Sequence, residues 1–288
     1  MRMATSTITI ERAGVSAGAI ATGVDVGSLD DDGFAELRQA FLDHHVLCIR
    51  GSTITPEQEL AFAARWGEIY VHPYVPSIDG YPGIMLIHQV HAITETWHAD
   101  TTHSYAPPSV TMLLARTVPA VGGDTAFANQ HLAYETLSPG VRATLDQLFA
   151  VHYGTDLAKG AGLDQLQVTH AHPVVMEHPE TGRRGLFVNG DYVRHFEGWT
   201  PAESAGLLEF LYDHASRLEL TYRHHWQPGD LVMWDNRSVQ HRVIADHGRA
   251  DRQLHRVTLL GAPLHGPAGS THLVDAASLA TGAATGAY

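Results

Sequence analysis

The feature that most constrains the fold is a recurrence of short apolar runs bounded by turn residues: "VLCIRG", "SVTMLLARTV", "DTAFAN", "DLVMWDN" and "RQLHRVTLLG". Each is too short to be a stable helix, and each is rich in the β-branched and aromatic types that suit a pleated sheet. Helical spacing is confined to four places. "SLDDDGFAELRQAFLDHHV" has an acidic start, and "TPEQELAFAARWG" has Thr55 as cap and Pro56 in its first turn. "QHLAYETLSPGVRATLDQLF" reads as a pair of short helices, and "TPAESAGLLEFLYDHASR" carries a capping box from Thr200 to Glu203. Many short strands with helices outside them predict a mostly β fold with helical additions, built on a jelly-roll core (a double-stranded β-helix).

With 288 residues, one such domain has a core large enough to need no cross-link, and the single cysteine, Cys48, cannot form an internal disulfide. Cys48 sits inside an apolar run, which fits a reducing, cytoplasmic setting. Neither a secretory signal nor an apolar run long enough for a bilayer is visible, so no membrane partner is expected. The formal charge of −13 argues against nucleic acid as a partner. Any anion must therefore be gripped by locally placed arginines. The boundaries read as one domain over 1–265, with lid loops at about 68–97 and 154–171 and a loosely held tail over 266–288.

Within "TWHADTTHS", strand alternation puts His98 and Asp100 on one side and His103 on the other. Two ligands bind a metal weakly, and the best third is His241, at a strand end in "LVMWDNRSVQHRV". Two histidines and a carboxylate with open positions opposite them suit a non-haem iron oxygenase, whereas zinc hydrolases more often show three histidines or a helical motif. Downstream, Arg252, Leu254 and Arg256 share a strand face, and "RQLHRVTLLG" contains no carboxylate to pair with either arginine. Their partners are then anionic ligands, or one ligand and a distant acid. "GGDT" turns tightly into a strand and leaves the Thr125 hydroxyl free for an acidic oxygen; taken alone it is also an ordinary turn.

These segments together resemble the taurine dioxygenase family of Fe(II)- and 2-oxoglutarate-dependent oxygenases, which includes alkylsulfatase-type and aryloxyalkanoate dioxygenases. The likeness spans roughly residues 8 to 265. It rests on "WHAD", where the family has W-H-[TS]-D, on "APPSVTMLLARTVPAVGGDT", on "HPETGRRGLFVN", and on "WQPGDLVMWDNRSVQH" followed by "RQLHRVTLLG". The resemblance implies His98, Asp100 and His241 as iron ligands, and Arg252 with Thr125 for the distal carboxylate of 2-oxoglutarate. It implies Arg256 for the anionic group of the substrate, and His72, Thr94 and Tyr192 as pocket residues. His103 has no matching role.

The implied reaction consumes dioxygen and 2-oxoglutarate, releases succinate and carbon dioxide, and hydroxylates a C–H of a small anionic molecule such as an alkyl sulfonate or sulfate ester. Cleavage of a C–S or C–O bond can follow. An aryloxyalkanoate or specialised metabolite is the alternative substrate, and a jelly-roll hydrolase or a non-catalytic binding protein is the alternative class. Family members commonly form dimers or tetramers, so a homo-oligomer is expected.

Overall fold

The computed structural model describes residues 8–72, 75–88, 95–154, 169–268 and 270. Most of the expected loop 154–171 and of the tail beyond 265 lies outside these, as does Thr94.

Seven strands form the larger sheet. They are β1 (Thr9–Arg12), β2 (Ala19–Thr22), β3 (Val46–Ile49), β4 (Met85–His88), β5 (Val110–Thr117), β13 (Leu231–Asp235) and β15 (Gln253–Thr258), in the order β1-β2-β3-β13-β5-β15-β4. A three-stranded sheet faces it, ordered β12-β6-β14 from Thr221–His224, Thr125–Asn129 and Val239–Val243. A second three-stranded sheet, β11-β7-β8 (Val193–Phe196, Phe149–Tyr153, Thr169–Pro173), and the hairpin β9-β10 (Val175–Glu177, Arg184–Leu186) complete the jelly roll.

Strand alternation in the large sheet sorts its side chains into two layers. Leu47, Ile49, Met112, Leu114, Leu231, Met233 and Val257 face outward under the helices α1 (Asp31–His44) and α2 (Pro56–Trp66). Val46, Cys48, Leu113, Ala115, Val232, Trp234 and Leu254 face inward, against Phe127 and Val239 of the opposing sheet. Both faces are buried, which is why these strands read as continuous apolar runs. The helix caps at Thr55 and Thr200 form as the sequence predicts, each with a complete capping box. Two short helices, α3 (Gln130–Glu135) and α4 (Pro139–Leu145), and the longer α5 (Pro201–Ala215) enclose a separate apolar cluster around Phe196 and Leu211.

Four histidines that this packing covers, His45, His131 and His152 wholly and His103 in part, should make the fold acid-sensitive. Burial pushes His45 down to about 3 and His103 and His131 to about 4, and puts His152 well below its ordinary value of 6.5. Their folded-state pKa values are depressed, so below pH 6.5 the unfolded chain binds protons that the folded chain refuses. Stability is therefore lost as pH falls from 6.5 toward 4, with each histidine adding about 1.4 kcal/mol per pH unit where its two states differ by a full proton. Calorimetric melting between pH 7 and pH 5 should show Tm falling steeply, with more than one proton taken up on unfolding. A Tm flat over that range would contradict the buried neutral histidines.

Candidate metal centre and co-substrate site

Inward-facing positions of the two sheets carry the candidate site. Thr111 and Arg256 come from β5 and β15, and Thr125 and His241 from β6 and β14, all on the alternation that places Leu113, Leu254, Phe127 and Val239 in the interior. His98 joins them through an isolated bridge in which its amide donates to the His241 carbonyl at 3.1 Å and the His241 amide donates to its carbonyl at 2.7 Å. Residues that exchange both hydrogen bonds across an antiparallel pair present their side chains on one face. The two imidazoles accordingly lie 4.2 Å apart, centroid to centroid.

Here the structure corrects the strand reading of "WHAD". Only His98 is in a β-bridge; the chain turns from Asp100 to His103, with Thr101 in the left-handed region at φ 40°. Asp100 reaches the same face as His98 because the turn carries it there, without a continuing strand. His103 is excluded, as expected. It is half-buried against Tyr192, with ring centroids 5.4 Å apart, and is not one of the clustered ligands.

One ligand atom from each of His98, Asp100 and His241 lies within 4.8 Å of the others, and all three residues are buried. Asp100 Oδ1 is 3.9 Å from His98 Nε2 and 3.8 Å from His241 Nε2, too far for hydrogen bonds. The His98 Nδ1–H donates to the Thr96 carbonyl at 2.9 Å, which leaves the Nε2 lone pair directed at the cluster. Burial, followed by the neighbouring His98 ring, pushes His241 down to about 3, so it is a neutral imidazole at physiological pH. Burial opposes the charge on Asp100, but Arg256, His241, His98 and the Thr111 hydroxyl together hold its carboxyl well below the ordinary range. A carboxylate and imidazoles with free Nε2 lone pairs fit a borderline divalent ion such as Fe(II).

A second group, Cys48, His224 and Asp230, also clusters within 4.8 Å. Its atoms are already committed: Arg50 holds both oxygens of Asp230 at 3.0 and 3.2 Å, and His224 bridges Asp230 and Tyr222 at 3.1 and 3.0 Å. What sets it apart is the thiol: burial pushes Cys48 up to about 12, so it is held as a neutral thiol and not as the thiolate that binds a metal.

Arg252 and Thr125, which the resemblance assigns to 2-oxoglutarate, meet in the structure. Arg252 is fully buried, donating from Nε to the Gly123 carbonyl at 3.0 Å and from Nη2 to the Thr125 hydroxyl at 3.5 Å. Its guanidinium carbon lies 5.5 Å from the Trp226 ring, and the Trp226 indole donates to Thr125 Oγ1 at 3.1 Å. Gly122 and Gly123 both have positive φ, 79° and 69°, and a Cβ on Gly123 would approach His247, Pro119 and Arg252 to 3.2–3.3 Å. Glycine is therefore required at Gly123 by conformation and by room.

Arg256 takes the distant-acid alternative that its strand left open. Its Nη2 lies 2.9 Å from Asp100 Oδ1, so its partner among the described residues is the candidate metal-ligand carboxylate. The absence of an acid in "RQLHRVTLLG" therefore does not by itself call for a substrate anion. Tyr192 is buried, and burial with the charges of Asp100 and Asp191 raises its pKa, keeping it a neutral hydroxyl. His72 is half-buried; its pKa is lowered by burial and by Arg256, and its Nδ1 accepts from the Val75 amide at 2.9 Å. An open cleft of about 640 Å³ runs beside His72 along Val75–Pro82, and none of the three clustered ligands lines it.

Sequence reasoning missed Trp234, Asn236 and Thr111, which form a buried hydrogen-bonded chain leading to Asp100. The only available signal was the polar Asn236 directly after the apolar run "LVMWD".

The chain is similar to known proteins over most of its length. The family model described as taurine catabolism dioxygenase TauD, TfdA family matches residues 10–258. The chain is 35% identical to an alkylsulfatase of Acinetobacter baylyi, over 89% of this chain and 87% of that protein. It is also 35% identical to an alpha-ketoglutarate-dependent sulfate ester dioxygenase of Pseudomonas putida, over 78% of this chain and 80% of that one. The crystal structure of a taurine dioxygenase from Burkholderia xenovorans superposes with a TM-score of 0.82 at 36% identity, covering 95% of this chain and 98% of the other.

Proposed function

Since the chain belongs to the taurine catabolism dioxygenase TauD, TfdA family, we propose that His98, Asp100 and His241 hold its iron and that Arg252 and Thr125 hold its co-substrate. The enzyme is an Fe(II)- and 2-oxoglutarate-dependent dioxygenase, which sets aside the hydrolase and the non-catalytic binding protein. The observation that carries the assignment is the burial of one carboxylate and two imidazoles around a common point, beside a buried arginine. When bound, Fe(II) with 2-oxoglutarate and dioxygen supplies the oxidative decarboxylation to succinate and carbon dioxide and the hydroxylation of a substrate C–H.

The chain's own work is placement and exclusion of water. His98 and His241 are locked side by side by their backbone bridge, so the two imidazoles cannot separate without breaking the sheet contact. Arg252 and Thr125 receive the distal carboxylate of 2-oxoglutarate; with little water nearby, that ion pair is stronger than it would be at the surface. The Trp226 ring walls one side of Arg252 and fixes the Thr125 hydroxyl through its indole N–H.

Arg256, one-quarter exposed and held by Asp100, is the group we assign to the anionic end of the substrate, with His72 and Tyr192 around the remainder. Tyr192 acts as a neutral hydrogen-bond donor, since its raised pKa excludes a phenolate base. The substrate class we favour is an alkyl sulfate ester or sulfonate, supported by the relatives' named activities. We place the protein in the cytoplasm as a dimer or tetramer, which fractionation and sedimentation equilibrium would check. Among the described residues no helix is long and apolar enough to cross a membrane.

The test is succinate release from the Fe(II)-loaded enzyme against alkyl sulfates, sulfonates and aryloxy acids. Arg256→Ala should lower kcat/KM for the best anionic substrate by roughly 30-fold or more, the lower end of what truncating a charged partner costs. Substrate-independent decarboxylation of 2-oxoglutarate should persist. If Arg256→Ala instead abolishes 2-oxoglutarate binding, the two arginines have exchanged roles; if an uncharged substrate outperforms every anion, the substrate class is wrong.

A further inference from the structure

Asp100 lies in a turn, where neither strand nor helix fixes its side chain. Its two carboxylate oxygens nonetheless have different surroundings. Oδ1 faces His98 and His241 and touches Arg256, whereas Oδ2 accepts a hydrogen bond from the Thr111 hydroxyl at 2.6 Å. The Thr111 oxygen in turn accepts from the Asn236 side-chain amide at 3.0 Å. Asn236 Oδ1 accepts from two N–H groups, the Asp100 backbone amide at 3.2 Å and the Trp234 indole at 3.1 Å. Two N–H donors on one atom settle which end of the amide is oxygen, so the direction of the whole chain is determined.

These groups are deeply buried, with Thr111 at 0% and Trp234 and Asn236 at 2% exposure. They sit where the two inner faces otherwise present apolar side chains. A buried polar network in such a place is tolerated only if its members are satisfied, and every link in this one ends on a single residue. Asn236 grips the Asp100 backbone directly and the carboxylate through Thr111, while the Trp234 indole restricts Asn236.

We propose that Thr111 and Asn236 are positioning residues that present Asp100 Oδ1 to the metal, by holding its Oδ2 and its backbone N–H from behind. The inference rests on the assignment of His98, Asp100 and His241 as metal ligands. Without the pair, the carboxylate is held only at Oδ1, by Arg256, so it can turn about χ2, and the turn that carries it loses its tie to the end of β13.

The experiment titrates Mn(II) alone into the metal-free full-length protein, following the free ion by electron paramagnetic resonance, and records the visible spectrum with Co(II). Thr111→Val keeps the shape of the side chain and removes the hydroxyl; the Mn(II) Kd should rise by about 10- to 100-fold, as for loss of other groups that orient metal ligands. The Co(II) bands should shift, and Thr111→Ser should bring the Kd back to within about 3-fold of the wild type. Asn236→Ala should weaken Mn(II) in the same direction.

A Thr111→Val protein that binds Mn(II) like the wild type overturns the proposal, as does a loss that serine fails to recover. If Thr111→Val is insoluble, Thr111→Ala, which adds no bulk, is read by the same criteria. His241→Ala separates the two assignments. If it also keeps wild-type Mn(II) affinity, the metal reading itself has failed. If it loses Mn(II) while Thr111→Val retains it, the positioning role alone has failed.

Discussion

Asp100→Ala is expected to leave a folded chain that no longer releases succinate from 2-oxoglutarate in the presence of Fe(II). Removing the carboxylate takes away the one anionic ligand of the cluster and leaves two imidazoles beside the Arg256 guanidinium, which loses its carboxylate partner among the described residues. A cation entering this site meets net positive charge in a buried setting, where charges are poorly screened. The affinity for a divalent ion should fall by more than about 100-fold, beyond the range typical of outer-shell changes. Losing a carboxyl that is held well below the ordinary range costs some stability, but the Arg256 side chain is one-quarter exposed and can turn to solvent, so the fold should survive. Circular dichroism together with Mn(II) titration checks both halves. Succinate release at the wild-type rate from Asp100→Ala would remove Asp100 from the ligand set.

Arg252→Leu carries the second large effect, on the co-substrate. Burial pushes Arg252 down only to about 10, opposed by the carboxylate of Asp124, so the guanidinium is fully charged at neutral pH. It is held against Gly123, Thr125 and Trp226 with almost no exposure, and a bound carboxylate there has little water to replace the lost partner. Truncating one side of such a pair costs about 2–5 kcal/mol, so the KM for 2-oxoglutarate should rise by roughly 30-fold or more. Mn(II) affinity should be nearly unaffected, because Arg252 does not touch the three ligands. That contrast distinguishes it from Asp100→Ala, and persistence of uncoupled decarboxylation distinguishes Arg256→Ala from both. An unchanged KM for 2-oxoglutarate in Arg252→Leu would move the co-substrate site elsewhere.

The alternation of β3, β5, β13 and β15 was legible because their residues bury both faces, giving short apolar runs that turn residues separate. The helix caps at Thr55 and Thr200 were legible because capping is settled within four consecutive residues. His98 and Asp100 were paired correctly, but from a premise that the structure replaces. Their convergence comes from a bridge to His241 and a turn through Thr101, and neither is encoded in the local period. For Arg256 the sequence left two kinds of partner open, an anionic ligand or a distant acid. Its own strand supplies no acid, and nothing local indicates that the turn after His98 delivers Asp100 to it. Thr111 and Asn236 passed unnoticed because a threonine inside a strand and an asparagine after one are each commonplace.

Sequence by itself therefore determined the residue types available for the chemistry, the layers in which most of them lie, and, through extended resemblance, the family. Those properties follow from periodicity and from motifs read along the chain. The tertiary structure alone decided which atoms meet: the direction of the Asp100 carboxylate, the ion pair it makes with Arg256, and the buried amide and hydroxyl that orient it. Contacts of that kind depend on how two sheets face each other across a turn, and distances between segments far apart in the chain are fixed only once the sheets have packed.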